Sequence, residues 1–422
     1  MANIKTDNNM IAVLGLGFVG LTTAIGLAEK TGRKVIGFDI DAARSRTLQE
    51  GKLPFHEPDL GDYLQKHLKQ GSFKLASSLA DAVVLADTIF FCVGTPSNDD
   101  GRANLTYLTD AIEATLDVDD TKRLLVVKST VPPHTSCEVI LPLLERRGLV
   151  VGHDTGLASN PEFLREGHCW ADFMNPDRIV IGADDDYSAQ TLSRLYSVFN
   201  APIILTSRST AEYIKYLSNT LLATMISFSN EMAMIADRLG DVDVGDAFKA
   251  LHMDRRWTLP EVPDTPDGGD KEATGSTQPV DMASYVLPGS GFGGYCLPKD
   301  TKAMAHLAQQ CGIDALMLHG TLETNELIKR HRADLIASRC TSKDTRIGII
   351  GLSFKPGSDD VRDTPAAAII SHLLQAGYHN ITVYDPFAME TFAQSYALPI
   401  NYAHDRDALL ASCEIIEVIK DV

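Results

Sequence analysis

A cysteine followed one helical turn later by an aspartate, Cys296 and Asp300 in the stretch GFGGYCLPKD, is the pairing in this chain best suited to covalent chemistry. Glycines and Tyr295 lead into Cys296, and Pro298 fits the first turn of a helix, where its missing N–H costs nothing. A thiol at the start of a helix meets unpaired backbone N–H groups and the positive end of the helix dipole, and both favour the thiolate. Asp300 shares the helical face of Cys296, and Lys299 adds a positive charge beside it. The chemistry would be nucleophilic attack on an electrophilic carbon. A lone cysteine beside a glycine turn is more commonly a small packing residue, so the assignment needs partners elsewhere in the chain.

Two further pairs share that spacing: Glu162 and Glu166 in NPEFLREG, and Lys215 and Asn219 in AEYIKYLSNT. On a helix each pair lies on one face, where such pairs commonly serve as solvated surface or helix support. Lys215 is less ordinary. Its helical run is otherwise apolar, so a lysine there calls for a partner or a ligand. Asn219 could donate hydrogen bonds beside it, as an oxyanion site requires.

Those side chains have to be carried by larger elements. Ile11 to Leu14 reads as a strand running into GLGFVG, Gly15 to Gly20, then a helix to about Lys30 and a second strand, Lys34 to Phe38, ending at Asp39. This is the strand–turn–helix–strand–acid order of a dinucleotide-binding unit. Gly15 permits the tight turn, Gly17 the approach of a pyrophosphate, and Gly20 close helix–strand packing. Asp39 would bond the adenosine ribose hydroxyls and repel a 2′-phosphate, which favours NAD. Arg33, Lys34 and Arg44 are nearby cations that keep NADP open. Strands are expected at Thr88 to Val93 and Leu124 to Lys128. Thr95 and Thr130, in the turns after them, read equally as cofactor contacts and as helix-capping turn residues. Thr210 to Arg238 should be one long helix. Pro260 to Pro279 reads as an exposed loop, rich in proline, glycine and aspartate. The opening pattern then returns in the strand Arg346 to Gly351, the helix Pro365 to Ala376, and the strand Ile381 to Tyr384 ending at Asp385. Lys355 and Arg362, in the enlarged turn, are available for phosphates; a Rossmann-like domain that binds nothing is the alternative. The fold class is α/β: two Rossmann-like, doubly wound domains joined by a long central helix. The expected boundaries are 1–205 for the NAD-binding domain, 206–330 for a central helical, dimerising region with the cysteine loop, and 331–422 for the C-terminal Rossmann-like domain.

The formal charge of −18 argues against a nucleic-acid binder, whose affinity would rest on basic patches. No apolar run long enough to cross a membrane appears, and MANIKTDNN lacks the apolar core of a signal peptide. Scattered cysteines, seven and thus odd in number, suit neither a disulfide framework nor a zinc site. The expectation is a cytoplasmic enzyme with reduced thiols and no metal.

In order along the chain, GLGFVG, FFCVGTPS, VKSTVPP, NPEFLREG, AEYIKYLSNTLLA, GFGGYCLPKDT and GLSFKPGSDDVRDTP resemble the motifs of the UDP-glucose 6-dehydrogenases, within the wider UDP-glucose/GDP-mannose dehydrogenase family. The resemblance implies a four-electron oxidation of a sugar-nucleotide alcohol to a carboxylate with two NAD+ in succession. It makes Cys296 the nucleophile that forms a thiohemiacetal and then a thioester. The base is Lys215 or a water held by Asp300; Lys215 and Asn219 stabilise oxyanions; Glu166 and Asp300 serve the hydrolytic water. Glu162 and Thr130 join the catalytic set. On the cofactor side the resemblance adds Phe18, Val19, Thr95, Thr130, Glu166, Lys299 and Arg362 to the glycines and Asp39, with Arg178 either there or structural. On the substrate side it places Glu162, Phe163, Leu164, Lys215, Asn219, Tyr285, Gly293, Phe354 and Lys355. The implied partner is a UDP-sugar, UDP-glucose first, in a homodimer or higher homo-oligomer that supplies UDP-glucuronate for polysaccharide. GDP-mannose, a UDP-N-acetylhexosamine, or a two-electron hydroxyacid oxidation are the alternatives. One departure stands out: an arginine usual before the glycine loop is missing from Asp281 to Ser284, and Arg255 or Arg256 could replace it.

Overall fold

The computed structural model describes residues 10–98, 100–118, 122–254, 285–355 and 357–420. Arg255, Arg256, the Pro260 to Pro279 stretch and Asp281 to Ser284 lie outside them. The chain forms two compact units. The first carries the described residues up to Ser218 with Lys302–Gly312 and Gly357–Asp359; the second carries the rest.

In the first unit, β1 (Met10–Leu14), β2 (Lys34–Phe38), β3 (Phe73–Leu75), β4 (Thr88–Phe91), β5 (Leu124–Val127), β6 (Gly156–Ser159), β7 (Ile179–Ala183) and β8 (Ile203–Thr206) make one sheet. Their order is β3-β2-β1-β4-β5-β6-β7-β8. All neighbours pair in parallel except β6 and β7. Parallel strands are short, branched and apolar because both faces are covered. Ile11 and Val13 of β1 pack into one core with Phe90 and Val126, while Ala12 and Leu14 pack into the opposite core with Ile89 and Phe91. The strand order reverses between β1 and β4, which opens a crevice at their carboxyl ends, the place where ligands bind in such sheets.

In the second unit, β9 (Ile347–Ile350), β10 (Ile381–Tyr384), β11 (Asn401–Tyr402) and β12 (Ile415–Val418) form an all-parallel sheet in the order β11-β10-β9-β12. The helix Pro365–Gln375 begins with proline at its first position and with the Thr364 hydroxyl accepting from Ala366 N. The expected long helix runs from Arg208 to Leu239, unbroken by glycine or proline.

The shared helical face that the spacing of Glu162 and Glu166 would give on a helix does not form. NPEFLREG is not helical: residues 160–168 form an irregular segment before the helix Cys169–Met174. Pro161 lacks the N–H that a helix would use, and Gly167 takes a left-handed φ of +76°. Glu162 and Glu166 therefore share no helical face.

Candidate active site

The glycine turn of the first unit is built for close approach. Gly15 has φ +87°, and a Cβ on Gly20 would stand 1.7 Å from Gly15 O, so helix and turn touch backbone to backbone. At Gly17, by contrast, nothing lies within 4 Å of where a Cβ would be. Gly17 is also the N-cap of the helix Phe18–Thr31 and offers no side-chain cap, so the first N–H groups are left for an anion. Phe18 lies against Phe55 with ring centroids 4.1 Å apart, and Val19 follows in the same first turn. Asp39 is buried. Its Oδ2 accepts from Leu16 N at 2.7 Å and from Arg44 Nη1 at 2.9 Å, and its Oδ1 accepts from Asp41 N at 2.8 Å. The Arg44 guanidinium is thus turned onto Asp39. Arg33 grips Asp87 with both carboxylate oxygens, at 2.6 and 2.7 Å, at the amino end of β4. Two of the cations that kept NADP open are engaged by carboxylates. The open cradle at Gly17, the uncapped helix and the acid after β2 fit NAD.

Thr95 and Thr130 do not act as helix caps: the Thr95 hydroxyl donates to Thr130 O at 2.7 Å and ties the turn after β4 to the turn after β5. Beyond β6 the chain reaches Glu162, which is 7% exposed and faces Lys215, 4% exposed, at 2.9 Å. Glu162 Oε2 also accepts from Leu164 N at 2.6 Å. Burial alone would push this carboxyl up. The Lys215 charge and hydrogen bond, with the Leu164 N–H and the charge of Lys128, outweigh it and hold Glu162 below the ordinary glutamate value. The Phe163 ring carries the Lys215 ammonium 5.5 Å and the Arg178 guanidinium 4.1 Å from its centroid. Glu166 accepts from the Ser358 hydroxyl at 3.2 Å. What orders this segment is Glu57, which the sequence reading missed. Its buried carboxylate accepts from Gly167 N and Trp170 N, each at 3.1 Å. No local signal marks it, because its partners lie more than a hundred residues on.

In the second unit, Cys296 is exposed as the first residue of the helix Cys296–Gln310. One turn below, Asp300 is fully buried and held on both oxygens: Asn219 Nδ2 donates to Oδ2 and Lys299 Nζ to Oδ1, each at 2.6 Å. Lys299, expected on the cofactor side, is itself 6% exposed and directed at Asp300. Beside Cys296, the Tyr295 ring has the Lys299 ammonium 5.5 Å and the Arg362 guanidinium 4.8 Å from its centroid. Burial pushes the Tyr295 hydroxyl up to about 12, so it stays a neutral donor. The glycine loop is packed against the enlarged turn after β9. A Cβ on Gly293 would lie 2.3 Å from Asp363 O, and Gly294 N donates to Arg362 O at 2.8 Å. Arg362 itself pairs with Asp360. Phe354 lies against Gly294, with Lys355 next in the turn, while Tyr285 begins the described stretch before the loop. Asn325 was also missed: its side chain accepts from Phe292 N at 2.7 Å and donates to Phe292 O at 3.0 Å. Asp385, the counterpart of Asp39, accepts from the backbone N–H groups of Leu352, Ser353, Phe387 and Ala388. That full backbone set makes Asp385 a structural acid.

Among the described residues no group of acidic, histidine or cysteine side chains could hold a metal, and no helix is long and apolar enough to cross a membrane. Three family models match the chain in succession: the NAD binding domain of the UDP-glucose/GDP-mannose dehydrogenase family over 9–200, its central domain over 209–327 and its UDP binding domain over 348–421. The UDP-glucose 6-dehydrogenase of Bacillus subtilis is 33% identical over 97% of this chain and 83% of its own length. The GDP-mannose 6-dehydrogenase of Pseudomonas syringae pv. tomato is 34% identical over 89% and 80%. Among solved structures, a UDP-glucose dehydrogenase from Pyrobaculum islandicum matches with a TM-score of 0.87 and 34% identity, covering 100% of this chain and 91% of that one.

Proposed function

The chain belongs to the UDP-glucose/GDP-mannose dehydrogenase family, and from that premise we propose that it oxidises UDP-glucose to UDP-glucuronate through a thioester on Cys296. NAD supplies the hydride acceptor, once for the alcohol and once for the aldehyde stage. The observation that carries the proposal is the exposed Cys296 at a helix N-terminus, above a buried Asp300 held by Asn219 and Lys299. The thiolate adds to the C6 aldehyde, giving a thiohemiacetal; loss of hydride from that carbon leaves the thioester; water then releases the carboxylate and returns the thiol. Glu162 opposite Lys215 stabilises the lysine's charge, which suits a donor to the oxyanion of each stage. The proton of the alcohol then goes to a water held by Asp300. By the resemblance, Thr130, whose carbonyl accepts from Thr95, and Glu166 are assigned to the hydride and hydrolysis steps, and Lys355 and Arg362 to the phosphates of substrate and cofactor.

UDP-glucose is preferred because the matched relatives named for it align over more of this chain than the GDP-mannose enzyme does. Identity does not separate the two. The working form is a pair of identical chains. Leu221, Phe228, Met232, Ile235 and Leu239 are all more than a third exposed and recur along one face of the long helix, and a second copy of that face is its simplest cover.

The test is NADH formed against limiting sugar nucleotide, with the carboxylate quantified in the same tube. Two NADH and one UDP-glucuronate per UDP-glucose are expected. Turnover of GDP-mannose with UDP-glucose inert would overturn the substrate, and one NADH per sugar would overturn the thioester.

A further inference from the structure

Lys128 follows β5 immediately and stands two positions before Thr130, yet the reaction above gives it no task. Its side chain is 4% exposed, and it forms no ion pair among the described residues. Instead Nζ donates to Asn160 Oδ1 at 3.0 Å and to Asn160 O at 3.4 Å. The Tyr196 hydroxyl donates to the same Oδ1 at 2.6 Å, and Asn160 Nδ2 donates to Val180 O at 2.8 Å. Asn160 is therefore held on every polar side-chain atom. Pro161 follows, and then Glu162, the carboxylate that faces Lys215. The charged and titratable groups around Lys128 are Cys92 after β4, Glu162 after β6, Lys215 on the long helix and, through Asn160, Tyr196. A buried ammonium with only neutral acceptors is costly unless its charge acts on something. Here the charge acts on Glu162, whose ionised form it favours.

We propose that Lys128 is a positioning residue of the oxidation. Protonated, it clamps Asn160 through charge-assisted hydrogen bonds and adds to the larger effect of Lys215 a second positive charge that favours the ionised form of Glu162; neutral, it keeps only weaker donors to Asn160 and loses that charge. Burial pushes its proton affinity down, to a pKa of about 8, and the Lys215 charge acts the same way, against Cys92 and Glu162. The clamp would thus loosen in mildly alkaline solution. The proposal rests on the reading of Glu162 and Lys215 as members of the oxidising site.

The test compares wild type, Lys128→Met and Lys128→Arg across the pH range, reading kcat and KM for NADH formation from UDP-glucose. Wild-type kcat should fall through one ionisation near the lysine value of about 8. Lys128→Arg should stay level there, since a guanidinium keeps its proton. Lys128→Met should lose roughly tenfold in kcat at neutral pH, leave the KM for NAD within about twofold, and lack that ionisation. Wild-type kcat in the methionine variant, or one alkaline limb shared by wild type and the arginine variant, overturns the proposal. A second readout needs no substrate and so stands apart from the proposed function. Between the folded value of about 8 and the ordinary lysine value, the unfolded chain binds the extra proton, so wild-type stability gains from this group as pH rises. The melting-temperature advantage of Lys128→Met over wild type should therefore shrink from neutral to alkaline pH, and a constant difference overturns the charge assignment. Should the methionine variant not fold, the arginine comparison alone decides.

Discussion

Glu162 and Lys215 are both buried and face each other, and the Lys215 charge is the largest influence favouring the ionised Glu162 carboxylate. Removing one member of such a pair costs about 3–5 kcal/mol. Glu162→Gln should lower kcat by on the order of a hundredfold while changing the KM for NAD little, as expected when an interaction specific to the transition state is lost. The variant also reports a linkage. The folded carboxyl sits below its unfolded value, so its contribution is fully present above the unfolded value and is lost as pH falls through the folded one. The melting-temperature gap between wild type and Glu162→Gln should be constant at neutral pH and close in acid, which calorimetry at several pH values checks. Cys296→Ala should abolish carboxylate formation, and a variant that still releases it would sink the thioester. Cys296 and Asp300 were legible in the sequence because their relation is local, one helical turn. Lys128, Glu57 and Asn325 were not, because each acts on backbone or side chains far along the chain.

The elements divide the same way. The β1 turn and β2 were legible from apolar strands punctuated by glycine and closed by an acid, and β9 and β10 repeat the pattern. The i,i+4 spacing in NPEFLREG would pair Glu162 with Glu166 only on a helix, and Pro161, Gly167 and the Glu57 clamp keep this segment irregular. The glycine loop before Cys296 is an element of the same kind: few side chains of its own, and a shape imposed by a neighbour. Asn325 replaces a missing strand partner by bonding both polar groups of Phe292. Asn325→Ala leaves those groups buried and unpaired, at about 1–3 kcal/mol each. It should lower the melting temperature and raise the KM for the sugar nucleotide more than that for NAD; unchanged constants in a destabilised variant would show that the loop keeps its shape without this residue.

Across the whole molecule, two Rossmann-like sheets have kept one device and put it to different ends. In both, the acid after the second strand accepts from the turn after the first, Asp39 from Leu16 N and Asp385 from Leu352 N. Asp385 is saturated by backbone, whereas Asp39 takes a partly exposed arginine as well, a partner that a ribose hydroxyl can displace. Asp39→Ala should therefore weaken NAD binding by roughly tenfold and NADP binding less, measured by calorimetric titration of each. Sedimentation of the intact chain checks the proposed pairing of long helices. Phe228→Glu should shift the protein to a single-chain mass, and retention of the larger mass would move the interface elsewhere.

Seven cysteines are spread over the chain, but they are not equally open to chemistry. Burial pushes the Cys92 thiol up to about 12 and Cys169 higher still, while Cys296 and Cys311 are exposed. The opening that would admit an aldehyde to Cys296 admits hydrogen peroxide equally. Brief peroxide should silence the protein through a sulfenic acid that dithiothreitol reverses, and prolonged peroxide through a sulfinic acid that it does not. Bound sugar nucleotide should shield Cys296 from both, and leave Cys311 as reactive as before.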